Sequence, residues 1–306
     1  MKVGIVGFGL MGKRRAEAAA RAGDELIGYY DPADPSGSTS VARLCEKADA
    51  VVVATPTPQL ASATLDCLSY GARHILVEKP CAASAREFKA VVGEANKREA
   101  AVVPGYTLRH YPGIRALLSC TAYGEPGYMR AAYGHGGGAS GWRAERPGGG
   151  ELLDQGSHLL DLAQCILGAD LSVKYAVTGG KEPRGGVEHL ALMVVTTAQQ
   201  RTLGTLSASW VEWAPVFQLR VVYERGCVTV DGLGRTYGAH RAVFHRHRGV
   251  DEIREYPNAE ADALLSEWMS FRDLRGMGSL CGAELALDGA MRTLALVDEA
   301  KAMGQR

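Results

Sequence analysis

The sequence has no excess of either charge sign, no paired cysteine motif and no apolar run long enough to cross a bilayer. Each absence excludes a class of function. Lys plus Arg equals Asp plus Glu at 34 each, so the composition gives no electrostatic reason to bind a polyanion. Neither nucleic acid nor an acidic membrane surface is expected as a partner. The seven cysteines (Cys45, Cys67, Cys81, Cys120, Cys165, Cys227, Cys281) are scattered without a CxxC pair. An odd, scattered set fits reduced and mostly buried thiols in a cytoplasmic protein better than a disulfide framework. No apolar stretch approaches the roughly 20 residues of a membrane span, and MKVGIVGFG enters a strand directly. A targeting segment or membrane anchor is therefore not expected. Internal repeats and low-complexity tracts are also missing.

What remains is an ordinary globular composition. The 306 residues are 46% hydrophobic and 22% charged, enough for one large or two ordinary domains. The opening KVGIVGFGLMGKRRAEAAARAG reads as a short buried strand, a glycine turn and an Ala- and Arg-rich helix. Gly7, Gly9 and Gly12 fit G-x-G-x-x-G, with Phe8, Leu10 and Met11 between them. In a dinucleotide site the first glycine permits the tight turn, the second lets backbone approach a pyrophosphate, and the third lets helix pack on strand. The free N–H groups of the helix then face the anion. The plainer alternative is an ordinary tight strand-to-helix turn.

ELIGYYD gives a second strand ending in Asp31, nineteen residues after Gly12. An acid there can accept hydrogen bonds from a ribose 2′-hydroxyl and repels a 2′-phosphate, which favours NAD with NADP as the other candidate. The bland alternative for Asp31 is a turn residue before Pro32. After the loop DPADPSGSTS, the apolar strand in ADAVVVATPTPQ runs into Thr55 and Pro56, both placed to touch the cofactor. ARHILVEKP then ends a further strand at Glu78, Lys79 and Pro80, with Glu78 and Lys79 expected among the cofactor contacts. Strands apolar throughout and alternating with helices predict a parallel sheet covered on both faces. Ligands of such sheets bind at the carboxyl ends of the strands, where Lys79 falls.

The second half is richer in Gly, Tyr and Trp, and AAYGHGGGASGWRAERPGGG is a long glycine-rich segment. It leads into GGGELLDQGSHLLDL. Helical geometry puts Asp154, His158, Asp161 and Cys165 in one narrow sector, while Leu152, Leu159, Leu160, Leu162 and Ile166 face away for packing. On this reading one side serves chemistry or solvent. Gly156 costs roughly 1 kcal/mol in a helix interior, which blurs where the helix begins. Gly148 to Gly150 would let the loop approach a ligand closely.

Long loops in compact domains are commonly functional, so Tyr106, Arg109, His135, Trp142 and Arg143 are candidate substrate contacts. Aromatic faces stack on sugar rings, and arginine binds hydroxyls, carboxylate or phosphate. Surface solvation or core packing is the alternative for each, and Arg143 could instead pair with Glu145 or Glu151. The stretch from His189 to Gly232 carries successive Val-, Thr- and Tyr-rich runs, as expected of an antiparallel sheet. Trp210, Trp213 and Phe217 are expected to pack this sheet or a subunit interface. His245 and His247, two apart with no clustered acid or cysteine, read as an exposed basic edge, and no metal is expected. The amphipathic helices in AEADALLSEWMSFRDLRGMG and GAELALDGAMRTLALVDEAKAMG look structural.

GFGLMG, VVVATP, the EKP of residues 78 to 80, GGGELLDQGSH and the closing helix together resemble the Gfo/Idh/MocA family, typified by glucose-fructose oxidoreductase and inositol 2-dehydrogenase. The resemblance runs over nearly the whole chain. It implies an α/β fold: an N-terminal Rossmann dinucleotide-binding domain, residues 1–105, and a substrate-binding and oligomerisation domain, residues 106–306, with a large, mostly antiparallel open sheet. The last helix is free to return to the first domain. The stretch from Asp31 to Ala50 departs from the family in being short for the usual helix and strand.

By the same resemblance Lys79 is similar to the family's active-site lysine, and Asp154 and His158 to its catalytic pair. Imidazole titrates near neutral pH and suits the removal of a hydroxyl proton. The roles expected are His158 as general base, Asp154 orienting it or binding an adjacent hydroxyl, and Lys79 donating to the reacting oxygen. The resemblance implies an NAD(P)-dependent dehydrogenase or reductase. Its substrate class would be a sugar, nucleotide sugar or cyclitol, and its assembly a homodimer or homotetramer through the C-terminal sheet. Two alternatives are an NAD-dependent glycosidase that oxidises its substrate transiently and a dinucleotide-sensing regulator without turnover.

Overall fold

The structure, a computed structural model, describes residues 1–34, 36–37, 40–137, 140–180, 186–199, 201–246, 248–276 and 280–304, without the side chains of 275–276 and 280–285. The chain forms two compact units. The first is Met1–Thr107 with Leu264–Met291, and the second is Leu108–Ala263 with Arg292–Arg306.

In the first unit, five parallel strands, β1 (Lys2–Val6), β2 (Glu25–Tyr30), β3 (Ala50–Val53), β4 (His74–Glu78) and β5 (Ala101–Gly105), lie in the order β2-β1-β3-β4-β5. Helices α1 (Leu10–Arg21), α2 (Val41–Lys47), α3 (Thr57–Ser69) and α4 (Ala85–Lys97) connect them. The unbroken apolar strands predicted this doubly covered sheet. Every residue of β3 is buried, as are four of five in β1 and β4, because strands covered on both faces cannot alternate. Val3, Ile5, Val52 and Leu76 pack with Leu264, Trp268 and Phe271 of α7 (Ala259–Gly276). Trp268 Nε1 also donates to Asp24 Oδ2 at 2.7 Å. Strand order reverses direction between β1 and β3, the crevice where open sheets of this kind bind ligands.

The stretch from Asp31 to Ala50 does hold a helix, contrary to expectation. Two turns suffice for α2, because Ser40 caps it by accepting from Arg43 N and Leu44 and Cys45 anchor it. Capping and two buried side chains hold a helix too short to persist alone. Helix α4 likewise opens on a side-chain cap, Glu87 N donating to Ser84 Oγ, and the Glu87 carboxylate reaches back to accept from Ala83 N.

The second unit is built on eight strands: β6 (Pro126–Gly134), β7 (Leu171–Gly179), β8 (Leu190–Thr197), β9 (Leu203–Ser209), β10 (Val216–Tyr223), β11 (Gly226–Asp231), β12 (His240–Arg246) and β13 (Glu252–Tyr256). Their order is β13-β12-β11-β10-β6-β9-β8-β7, antiparallel except where β6 runs parallel to β9. Short α5 (Pro112–Leu118) and α6 (Ser157–Leu167) accompany it, and α8 (Leu280–Gly304) closes the chain. Trp210 and Phe217 are buried at 1% and 2% exposure, whereas Trp213 is fully exposed on this chain and so does not pack the sheet. It sits in the loop between β9 and β10, beyond the reach of the sheet's pleat. His245 lies on β12, which is paired on both sides, so it is not on an edge; its Nδ1 faces Asp251 at 2.8 Å. His247 and the Met277–Gly278 end expected for α7 lie outside the described residues.

Candidate active site

The glycine turn in the first unit divides its three glycines by what each would meet. Gly7 has φ 89°, and a Cβ there would stand 2.7 Å from the backbone of Ala54 and Thr55. A Cβ on Gly12 would stand 2.1 Å from the Gly7 carbonyl oxygen. Both positions are therefore closed by the protein itself, strand against strand and helix against strand. Gly9 differs: an added Cβ would meet nothing within 4 Å. Gly9 is the N-cap of α1 and uses no side chain to cap it. The first N–H groups of that helix thus border open space at the one of these three glycines whose bareness the protein fold does not demand.

Other groups around this space behave as a binding site requires. Thr55, just past β3, has a buried hydroxyl with no hydrogen-bond partner among the described residues. A buried hydroxyl left so is costly unless a ligand satisfies it. Pro56 caps α3 at the same strand end. Leu10 is 68% exposed, and Met11 is half-buried and packs against the core of this unit. Phe8 stacks on Tyr29 with ring centroids 3.8 Å apart. Asp31 accepts from Phe8 N at 2.7 Å and Ala33 N at 2.9 Å. It is therefore a turn residue as well as a ribose candidate, since a carboxylate has lone pairs beyond these two bonds. The chemistry of these residues fits a dinucleotide.

Glu78, expected among the cofactor contacts, is a structural anchor instead. Its carboxylate is buried and accepts from Arg15 Nε at 2.6 Å. Lys79 follows it, half-buried, at the carboxyl end of β4. Tyr106, expected at the substrate, is 2% exposed within the first unit and offers no face for stacking.

In the second unit the stripe of Asp154, His158 and Asp161 is rearranged by a π turn. Residues Leu152–Gly156 form that turn and α6 follows without a break, so the uniform rotation of an α-helix does not apply between Asp154 and His158. Single π turns of this kind recur at functional sites. The polar side is not uniform: Cys165 is exposed and Asp154 half-buried, while the two groups between them are buried. His158 is 8% exposed and Asp161 fully buried, alongside Leu159, Leu160, Leu162 and Ala163. Asp161 receives a two-pronged fork from Arg109, Nε to Oδ2 at 2.7 Å and Nη2 to Oδ1. Arg109 is thereby committed to holding α6 and is not a free substrate contact.

Arg143 pairs with Asp154, Nε donating to Oδ2 at 3.0 Å, rather than with Glu145 or Glu151. The Arg143 guanidinium also lies 4.2 Å over the Trp142 ring, covering one of its faces. His135 turns aside, its Nδ1 on the Gly136 carbonyl at 2.9 Å. The glycines before the π turn serve the protein rather than a ligand. A Cβ on Gly149 would stand 2.2 Å from Arg143 O, and one on Gly150 2.5 Å from Glu188 Oε1.

Sequence reasoning missed Tyr133, beside His158, and Tyr237, beside Tyr133. The Tyr133 ring on β6 lies 6.0 Å from the His158 ring and 5.6 Å from that of Tyr237. Burial, reinforced by Tyr237, Tyr111 and Asp154, pushes the Tyr133 phenol well above its usual range. It is thus a neutral hydrogen-bonding group at every physiological pH. Tyr237 is held in the 3-10 turn Arg235–Tyr237 between Gly234 (φ 83°) and Gly238 (φ 79°). The glycine pair flanking R-T-Y was the available signal. Among the described residues no group of His, Cys, Asp and Glu is arranged to hold a metal ion, and no helix is long and apolar enough to cross a membrane.

Known proteins resemble both units. Residues 1–106 match the oxidoreductase family model with an NAD-binding Rossmann fold, and residues 111–229 match the GFO/IDH/MocA C-terminal domain. Trans-1,2-dihydrobenzene-1,2-diol dehydrogenase from Bos taurus is 31% identical over 44% of this chain and 41% of its own length, so the match spans less than half of that relative. Inositol 2-dehydrogenase 1 from Saccharopolyspora erythraea is 24% identical over 96% of this chain and 91% of its own. A 3-ketoreductase from Actinomadura kijaniata, solved with NADP and TDP-benzene, shares the fold with a TM-score of 0.78, 21% identity and coverage of 99% and 97% of the two chains. With a glycine cradle open at Gly9 and family models matching in both halves, the chain belongs to the GFO/IDH/MocA family of NAD-binding oxidoreductases.

Proposed function

We propose that the protein interconverts a secondary alcohol and a ketone on a sugar, nucleotide sugar or cyclitol, using NAD in preference to NADP. The observation that carries this reading is the cradle. The open side of Gly9, the unsatisfied Thr55 hydroxyl and Asp31 after β2 form a constellation suited to diphosphate and ribose. Gly7, Phe8, Gly9, Leu10, Met11, Gly12, Asp31, Thr55 and Pro56 would hold the cofactor, which when bound supplies the two-electron acceptor or donor.

The chain's own groups manage the proton and the oxygen. His158 Nε2 or Nδ1 takes the hydroxyl proton as the alcohol is oxidised and returns it in the reverse direction. The Lys79 ammonium donates to the same oxygen and steadies its developing negative charge. Asp154, fixed by Arg143, accepts from a neighbouring hydroxyl and so sets which carbon reacts. Tyr133 and Tyr237 add neutral phenols suited to a polyhydroxyl ring. Oligomerisation is part of the proposal. On β7 and β8 the exposed Tyr175, Val177 and Leu192 form an apolar patch, Val177 and Leu192 being registered neighbours, of a kind that marks subunit contacts.

A panel of cyclitols, free sugars, sugar phosphates and nucleotide sugars, each with NAD and NADP, tests the reading through the absorbance of reduced nicotinamide. Accumulation of NADH with one class supports it. Glycoside cleavage without accumulation would favour transient oxidation, and silence across the panel with intact NAD binding would favour a sensor.

A further inference from the structure

One buried cluster in the first unit is not used by the glycine cradle. Arg15 is fully buried on α1 although it lies in the charged run Lys13-Arg14-Arg15. It is on the packed stripe with Gly12 and Ala19. Its Nε donates to Glu78 Oε1 at 2.6 Å, Nη1 to Glu267 Oε2, and Nη2 to Thr107 Oγ1 at 3.2 Å. Thr107 Oγ1 donates in turn to Glu267 Oε2 at 2.7 Å. Room for the guanidinium is made by Gly105, the register partner of Glu78, whose Cβ would stand 3.0 Å from Arg15 Nη2. Burial opposes the positive charge, yet Glu267 and Glu78 outweigh it and raise the guanidinium's pKa, so it is charged at all accessible pH.

The cluster's position is what matters. Glu78 is the last residue of β4, and Cys81 N donates to its carbonyl at 3.0 Å, closing a turn over Lys79 and Pro80. Cys81 holds φ at 75°, a left-handed conformation that a side chain disfavours and that persists only when its surroundings over-determine it. Lys79 therefore stands on a strained turn whose first residue is clamped by a five-donor planar group. That clamp comes from α1, the helix whose N-terminus borders Gly9.

We propose that Arg15 is a positioning residue: acting through Glu78, it fixes the turn that carries Lys79 and ties that turn to the helix facing the cofactor's diphosphate. The inference rests on the reading that Lys79 acts in the reaction. A salt bridge serving stability alone would not need this placement, since removing one partner of a buried pair is costly anywhere in a fold.

The test uses two variants, because Arg15→Met alone leaves two buried carboxylates without their cation. Arg15→Lys keeps the charge but cannot bond both glutamates in the same plane. The triple variant Arg15→Met, Glu78→Gln, Glu267→Gln removes every charge of the cluster together. Melting temperature identifies the folded variants, and NADH titration reports the cradle. Carbon-13 reductive methylation, with Lys79→Arg for assignment, gives an NMR signal for Lys79 without any turnover. In folded variants that bind NADH within about threefold of wild type, kcat is expected to fall about 100-fold, the scale of a roughly 1 Å misplacement. The Lys79 resonance should move toward those of the solvent-exposed lysines. Wild-type kcat and an unmoved Lys79 resonance would overturn the proposal and leave Arg15 as stabilising only. If Lys79→Met kept full turnover, the catalytic reading would fail instead, and the resonance alone would decide whether Arg15 positions that residue.

Discussion

Gly9→Ala and Gly12→Ala separate the fold's need for glycine from the ligand's. At Gly9 the backbone is extended, φ −71° and ψ −158°, and an added methyl meets no protein atom within 4 Å. The cost to the fold is the difference between glycine and alanine at an N-cap, about 0.5–1 kcal/mol. At about 2–4 °C per kcal/mol for domains of this size, the melting temperature should fall by only about 1–4 °C. At Gly12 the methyl would stand 2.1 Å from the Gly7 carbonyl, and backbone must move, at about 1–3 kcal/mol for overpacking. Binding should show the opposite order. A methyl at Gly9 would hold the diphosphate off the helix N-terminus. Each charge-assisted hydrogen bond lost costs about 1.5–3 kcal/mol, or about 10- to 150-fold in affinity. The assay is quenching of protein fluorescence by NADH beside a thermal melt of the same sample. If Gly9→Ala bound NADH within about twofold of wild type, the diphosphate would not lie at Gly9. If it melted as early as Gly12→Ala, the local geometry described here would be wrong.

Two further outcomes follow from single side chains. Asp31→Ser keeps a turn former but removes the carboxylate, and should raise the efficiency ratio of NADP over NAD by about 10-fold, equivalent to about 1.4 kcal/mol; an unchanged ratio in steady-state kinetics would separate Asp31 from cofactor choice. His240 is a buried neutral imidazole, accepting from Gly113 N at Nε2 (3.0 Å) and donating from Nδ1 to Gly232 O (2.8 Å). Burial lowers its pKa, with the Gly232 carbonyl only partly offsetting. The unfolded chain therefore takes up the proton first as pH falls below about 6.5. Stability should be flat above that pH and decline below it until the folded pKa is reached, by at most about 1.4 kcal/mol per pH unit. His240→Leu should lose that component of the slope in melts across the pH series, and an identical slope would assign it to other groups.

The parallel sheet, the glycine turn and the position of Lys79 were legible in the sequence because each rests on a short local pattern. Apolar strands of four to six residues, G-x-G-x-x-G and a strand-ending EKP need no distant partner to be read. What escaped depends on partners far along the chain. Arg15 stands in the charged run Lys13-Arg14-Arg15, and only Glu78 and Glu267, 63 and 252 residues away, allow its burial. Arg109 and Arg143 read as substrate contacts, with Glu145 or Glu151 as the other partners for Arg143, but they pair with Asp161 and Asp154. The π turn could not be read from periodicity, which assumes one rotation per residue throughout. Gly149 and Gly150 carried a true signal of close approach, but the approaching groups are Arg143 O and Glu188, not a ligand. Trp213, in a sheet-rich stretch, lies in a connecting loop and so does not pack the sheet, which leaves the subunit-interface reading of it.

The most direct measurement follows deuterium from 4,4-dideuterated NADH to product with the substrate class that the panel selects, in wild type, Lys79→Met and His158→Asn. Label should appear on the new carbinol carbon with wild type, and each variant should slow its transfer by at least about 100-fold while binding NADH as wild type does. Label in solvent or on no product carbon, or undiminished transfer by both variants, would contradict the account.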